Sequence, residues 1–209
     1  MAGNHQRVNV LVEGQTEETF VRELLAPHLV DYQVYLTPRI IETSKGHKGG
    51  VVSYGKIVHQ VGRWCQHDTT SIVTTLFDVY GLPSDFPGLA TWNVNQSPLP
   101  QVAALEANLA ASIAQPNFMP YLQLHEYEAL LFSDLGAFSY ADVSPAVIAA
   151  WQLELALYGS PEHINNSPVT APSKRLIARW PSYAHAKPQY GVLGSMPFCV
   201  ELAFRLDSV

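Results

Sequence analysis

Val8-Asn9-Val10-Leu11-Val12-Glu13-Gly14-Gln15-Thr16-Glu17-Glu18 passes from an apolar, β-branched run to a lone carboxylate, a glycine and the polar start of a helix. The run is long enough for a strand buried on both faces, as in a parallel sheet, and Glu13 stands where that strand stops. Burying an unpaired carboxylate inside the strand would cost roughly several kcal/mol, so its place at the strand end is a place for pairing, proton exchange or a cation. Ligands of open α/β sheets gather at that edge.

Working outward, Phe20, Val21, Leu24, Leu25 and Leu29 recur at helical spacing, which predicts a helix over 17–29. Thr16 suits its N-cap, Glu17 and Glu18 suit the positive end of its dipole, and Pro27 argues for an early end or kink. Residues 32–41 form a second extended run, with Pro38 placing its distal half near an edge or bulge. A loop over 42–50 carrying Lys45, His47, Lys48 and three glycines leads to a helix from about Tyr54 to Cys65. Ser71-Ile72-Val73-Thr74-Thr75-Leu76-Phe77-Asp78 then repeats the opening pattern, so Asp78 matches Glu13 in position.

A loop to about residue 100 and an Ala/Leu-rich helix over 102–113 precede a short fourth strand over 118–124. His125-Glu126-Tyr127-Glu128-Ala129-Leu130-Leu131-Phe132 brings acidic residues to a strand end for the third time and is expected to start a helix. Helices are predicted over 145–158 and 173–180, with a polar loop between them. The expected fold is therefore α/β and Rossmann-like: a mostly parallel sheet of about four strands flanked by helices, with a helical C-terminal extension. Residues 1–134 form the expected core and 135–209 the extension packed on it as one structural domain.

Composition narrows the function classes. Of 209 residues 47% are hydrophobic and 14% charged, as in a globular rather than a disordered chain. A net charge of −6 offers no global positive field for nucleic acid or anionic membrane, so any phosphate contact must be local or metal-mediated. Cys65 and Cys199 match no metal-ligand spacing and read as reduced thiols, which suits a cytoplasmic setting. No signal-peptide run follows Met1 and no apolar stretch is long enough to span a bilayer, so a soluble, unexported protein with no membrane partner is expected.

Right-handed crossovers send the carboxyl end of every parallel strand to one edge, which predicts that Glu13, Asp78 and the Glu126/Glu128 pair converge. Gathered carboxylates repel, and a divalent cation relieves them; Mg²⁺ takes a few carboxylates, water and phosphate oxygens. A metal-dependent phosphoryl-transfer site is the chemistry this pattern points to, with Mg²⁺ or Mn²⁺ as the cation.

Four ordered segments carry a family resemblance: Val12-Glu13-Gly14-Gln15-Thr16-Glu17-Glu18, Leu76-Phe77-Asp78-Val79-Tyr80-Gly81-Leu82-Pro83, His125 to Phe132, and Ala171-Pro172-Ser173-Lys174-Arg175-Leu176. Together they resemble the bacterial family labelled domain of unknown function 4276. That family is in turn similar to the Toprim fold of topoisomerases, primases and overcoming-lysogenization-defect nucleases. The resemblance implies that Glu13 matches the glutamate after the first Toprim strand and Asp78 the first aspartate of the Asp-x-Asp pair, both Mg²⁺ ligands. The second aspartate falls on Tyr80, a neutral phenol. Either Glu126 or Glu128 supplies the missing carboxylate, or the metal is held weakly or not at all.

On this reading Glu13, Asp78, Glu126 and Glu128 are the candidate metal ligands and catalytic carboxylates, and His125 is a candidate general acid or base. Lys48 in the glycine-bearing loop and Lys174 and Arg175 at a helix start are candidates for phosphate contact. Each has an ordinary alternative: helix capping or ion pairing for the carboxylates, an Asx turn for Asp78, a structural histidine, a solvated basic loop, a surface ion pair. The expected activity is cleavage of DNA or RNA phosphodiesters. The rival expectation is an inactive Toprim-like module that docks on an ATPase or another protein in a defence or repair system, and a third is a small-molecule phosphohydrolase. Oligomeric state is not legible.

Overall fold

A computed structural model describes residues 5–44, 47–48, 53–124, 126–141, 143–161, 164 and 170–190. The opening run forms β1 (Gln6–Val12), with Val8, Val10, Leu11 and Val12 all buried, as a central parallel strand requires. Helix α1 (Gln15–Phe20), a π-helical turn over Val21–Leu25 and α2 (Ala26–Val30) return the chain to β2 (Val34–Ile40), parallel to β1. Pro27 does not stop this helix. It lies in the first turn of α2, where a missing N–H costs least, directly after the widened π turn.

The loop expected over 42–50 contains a short antiparallel ribbon, β3 (Glu42–Ser44) with β4 (His47–Lys48). Helix α3 (Tyr54–His67) leads to β5 (Ile72–Asp78), which pairs parallel to β1 on the side opposite β2. Helix α4 (Pro98–Ile113) then delivers β6 (Phe118–Met119) and β7 (Leu122–Gln123), both parallel to β5. The expected single fourth strand is split at Pro120, whose ring removes a ladder donor. The Thr75 hydroxyl fills the gap, donating to the Tyr121 carbonyl at 2.8 Å and accepting from its N–H at 3.1 Å.

The sheet order is β2-β1-β5-β6, with β7 also on β5. From β1 the chain moves first to one side and then to the other, so the strand order reverses between β1 and β5. Such a reversal opens a crevice beyond the carboxyl ends of the two strands, because the connections leave on opposite faces. The two cores follow this division. Val8, Val10 and Val12 pack with Phe20, Val21, Leu25 and Leu29 on one face. Leu11, Val73 and Phe77 pack with Ile57, Val61, Leu105 and Leu109 on the other.

After β7 the expected helix over 125–132 is instead 3₁₀, over Tyr127–Ser133, followed by a second 3₁₀ segment over Leu135–Ala141. Tyr127 and Ala129 to Phe132 are all buried, so this stretch has no polar face on which an amphipathic α-helix could turn to solvent. Helices α5 (Pro145–Ala156), α6 (Pro172–Arg179) and α7 (Tyr183–Tyr190) complete the described chain. Trp151, Leu176 and Tyr183 join the same cluster as β1 and the first helical layer. Among the described residues no helix is long and apolar enough to cross a membrane.

Candidate functional site

Glu13 follows β1 and Asp78 ends β5, so the two flank the reversal of strand order. They are joined directly: the backbone N–H of Asp78 donates to Glu13 Oε1 at 2.8 Å. The contact depends on Gly81. A Cβ there would sit 2.7 Å from Glu13 Oε2 and 3.0 Å from Oε1, so only glycine admits the carboxylate at this depth. Glu13, Gly81, Ile41, Ile57, Phe77, Leu82 and Pro83 enclose a small cavity of about 10 Å³. That is close to the space one water molecule needs.

Glu17 is brought to the same edge. The N-cap of α1 is Gly14 rather than Thr16, which places Glu17 at the third helical position. From there its carboxylate takes hydrogen bonds from the N–H groups of Gly14 and Glu17, the return half of a capping box. Glu128, only 6% exposed, arrives from the 3₁₀ turn. Its Oε1 accepts from Lys187 Nζ at 2.6 Å and from the Tyr183 hydroxyl at 3.4 Å, both on α7.

These groups feel one another. Burial, only partly offset by the Asp78 N–H, pushes the Glu13 carboxyl up to about 7, and repulsion from Glu17 adds to the rise. Asp78 is raised well above its ordinary value, first by burial and then by Glu13, Glu17 and Glu128, against a hydrogen bond from the Tyr127 N–H. Glu17 is raised by burial and by Glu128, while Lys187 opposes the rise. The Tyr183 phenol is raised too, by burial and the charge of Glu128. Four carboxylates thus share one partly closed site with one lysine among them, an arrangement short of positive charge.

Two of the expected ligands are engaged elsewhere. Glu126 Oε2 accepts from the Ser173 N–H at 3.0 Å, capping the start of α6. Glu128 neutralises Lys187. Residues 126 and 128 diverge because the tight 3₁₀ turn begins between them. Tyr80, at the position of the second Toprim aspartate, is 37% exposed, and burial followed by repulsion from Glu126 raises its phenol. Its phenol thus feels the charge of Glu126.

Among the described residues no group of three or more His, Cys, Asp or Glu side chains is arranged to hold a metal ion. The four-carboxylate ligand set expected from the sequence is therefore not assembled there. The donor chemistry nevertheless fits Mg²⁺, which takes one or two carboxylates and fills its remaining positions with water and phosphate oxygens. Glu13 and Asp78 are the pair that would hold it.

The remaining candidates stand apart. His125 lies outside the described residues, as does Cys199, and Lys48 is described only as a backbone position opposite Glu42 in the ribbon. Lys174 is exposed on α6. Arg175 is spent on structure: Nε donates to the Thr170 carbonyl at 2.7 Å, one Nη donates to the Tyr158 hydroxyl at 2.9 Å, and the other pairs with Glu154. With its guanidinium only 10% exposed, it clamps α6 to α5. Cys65 is a free, buried thiol, and burial pushes it up to about 11, out of the reactive range.

Sequence reading underrated Glu17 and missed Lys187 and Tyr183. Glu17 carried a signal, since it lies one helical turn beyond Glu13 and three positions after a glycine able to cap. Lys187 carried none, because only tertiary packing brings α7 against α1 and the 3₁₀ turn. No curated protein and no solved structure matches this sequence. A family model, Domain of unknown function (DUF4276), matches residues 12–196, which take in both strand-end carboxylates, the 3₁₀ turn and α5 to α7, and the chain belongs to that family.

Proposed function

We propose that the chain is a metal-dependent phosphoryl-transfer protein, a Toprim-like nuclease acting on DNA or RNA phosphodiesters in the cytoplasm. The observation that carries this reading is the placement of Glu13 and Asp78 at the strand-order reversal, where burial raises the proton affinity of both and the charge of Glu13 raises that of Asp78 further. A pair that is costly to ionise alone is a pair that a cation and a phosphate stabilise. When bound, Mg²⁺ would supply Lewis acidity and offset charge on the phosphate.

The chain's own groups supply the rest. Glu13, raised to about 7 by burial in the metal-free chain, would be drawn into its ionised form by the cation, so the repulsion and burial that oppose its charge alone would favour cation binding. Lys187 pairs with Glu128 and limits the negative charge of the cluster. The apolar wall of Ile41, Ile57 and Phe77 keeps bulk water from the Glu13 carboxylate, which strengthens each electrostatic contact there.

Calorimetric titration of the purified protein with Mg²⁺ or Mn²⁺, paired with a cleavage assay on labelled DNA and RNA, tests this. Saturable binding with metal-dependent cleavage is expected; no binding heat together with no cleavage would sink it. Gly81→Ala is expected to preserve the fold, because the flexible end of Glu13 yields before backbone does. It should displace that carboxylate and weaken Mg²⁺ binding by about ten-fold or more, in line with other changes that disturb a ligand's support. Wild-type affinity in Gly81→Ala would count against Glu13 as a ligand.

A second reading, a non-catalytic Toprim-like module that partners an ATPase or another protein, is favoured by the neutral Tyr80 and by the neutralisation of Glu128 by Lys187. It predicts that Glu13→Gln leaves cellular function intact.

A further inference from the structure

The face of β2 that looks toward α3 is not covered. Tyr35, Thr37 and Arg39 alternate outward along β2, and their register partners on β1 are Arg7, Asn9 and Leu11. Helix α3 packs over β5 and against α4, which leaves a trough between α3 and the edge strand. A hollow of about 240 Å³ runs along it between Arg7 and Arg39, walled by Tyr35 and Trp64. It opens past Arg7 and Tyr35 into a wider hollow of about 560 Å³ beside His5 and Gln33.

The lining is unusual for a chain with 18 acidic and 12 basic residues. The Arg39 guanidinium lies 4.8 Å from the Trp64 ring centroid, and among the described residues no carboxylate pairs with it. Arg7 is half exposed and is held in place by Asp68 at 2.8 Å and by the Thr70 hydroxyl at 2.6 Å. Tyr35 is 45% exposed and meets His5 edge to face at 6.1 Å. Two guanidinium groups with the exposed ring of Tyr35 between them, one of the two seated on the half-buried Trp64, match a ligand that carries separated negative charges and flat rings.

The trough also leads somewhere. Arg7, Asn9 and Leu11 lie on one face of β1, Arg39 is paired with Leu11, and Glu13 follows the end of that strand two residues after Leu11. At about 3.3 Å per residue, Arg39 lies roughly 7 Å along the strand direction from Glu13.

We propose that this trough is the track for a single strand of DNA or RNA, with Arg7 and Arg39 on its phosphates, Tyr35 under its bases and Trp64 holding Arg39 in place. The inference rests on the nuclease reading only for its purpose, since it names the substrate that would be fed to Glu13 and Asp78. A duplex is a poor fit because paired bases cannot turn a face to Tyr35, and two arginines are few for duplex phosphates. A second copy paired along the open edge of β2 is disfavoured by Pro38, which interrupts the row of donors in that strand.

The test is fluorescence anisotropy with the full chain in EDTA, using a fluorescein-labelled thymidine oligonucleotide of about fifteen nucleotides, within the range one single-strand site occupies. Arg39→Glu is expected to weaken binding at least about ten-fold and to reduce the salt slope by about one. Tyr35→Ala should cost at least about five-fold, the loss of one stacked base. Both positions are exposed, and circular dichroism verifies the fold. Leu153→Ala, on the exposed side of α5, should bind like wild type. Absence of wild-type binding, equal affinity for a duplex of that length, equal displacement by poly-glutamate, or unchanged binding in both variants would each overturn the proposal. Trough-dependent binding with no cleavage in Mg²⁺ would count against the nuclease and leave the track standing. Cleavage with an unchanged KM in both variants would do the reverse.

Discussion

Replacing Glu13 by glutamine is expected to abolish metal-dependent cleavage, a loss of at least about a hundred-fold from the removal of a charged metal ligand. The same change should make the metal-free protein more stable at alkaline pH. Glu13 is raised from an ordinary 4.5 to about 7 in the folded chain. A carboxyl with a raised folded value favours folding while it is protonated, so its contribution is fully present below about 4.5 and is lost as pH rises through about 7. Asp78 is raised as well and acts with the same sign. In EDTA the wild-type melting temperature should therefore fall from pH 5 to pH 8, and Glu13→Gln should flatten that fall. At about 2–4 °C per kcal/mol for a chain of this size, the gap between the two at pH 8 should reach several degrees. Saturating Mg²⁺ should close it by stabilising only the wild type. Parallel melting curves across that pH range would show that Glu13 is not held at a raised pKa.

Trp151→Ala is expected to cost about 3–5 kcal/mol, a large share of the roughly 5–15 kcal/mol that holds most domains folded. Trp151 is fully buried, packs 5.3 Å from the Phe138 ring, and donates its indole N–H to the Arg175 carbonyl at 3.3 Å. The substitution leaves a cavity and removes the indole hydrogen bond that ties α5 to α6. Leu153, two residues along the same helix and 73% exposed, is the control, with an expected change within about 0.5 kcal/mol. Urea denaturation of the two variants measures the difference, and equal midpoints would place Trp151 outside the core.

The parallel sheet was legible from residues 8–12 and 72–77, because strands buried on both faces must be apolar at consecutive positions. The end of each run was legible because a carboxylate does not continue into a dry interior. The 3₁₀ form of Tyr127–Ser133 was not, since the unbroken apolar run Ala129–Phe132 at its centre has no polar position to mark a period. Glu126 looked like a ligand because it shares a strand end with the others. Whether it faces the cluster or caps α6 depends on where Ser173 comes to rest, 47 positions away in the chain.

Local sequence alone therefore determined that β1 and β5 end in Glu13 and Asp78 and that the carboxyl ends of parallel strands share one edge. Those are matters of periodicity, burial and crossover handedness. Tertiary structure alone decided which other charges join that edge: Glu17 through its cap on Gly14, and Glu128 with Lys187 and Tyr183 across α7. It also left Tyr35 and Arg39 in the open, because α3 settles over β5 instead of β2. The physical reason is range. Strand and helix patterns are set by neighbours a few residues away, whereas the charge a carboxylate feels is set by whatever the fold places within a few ångströms, however distant in the chain.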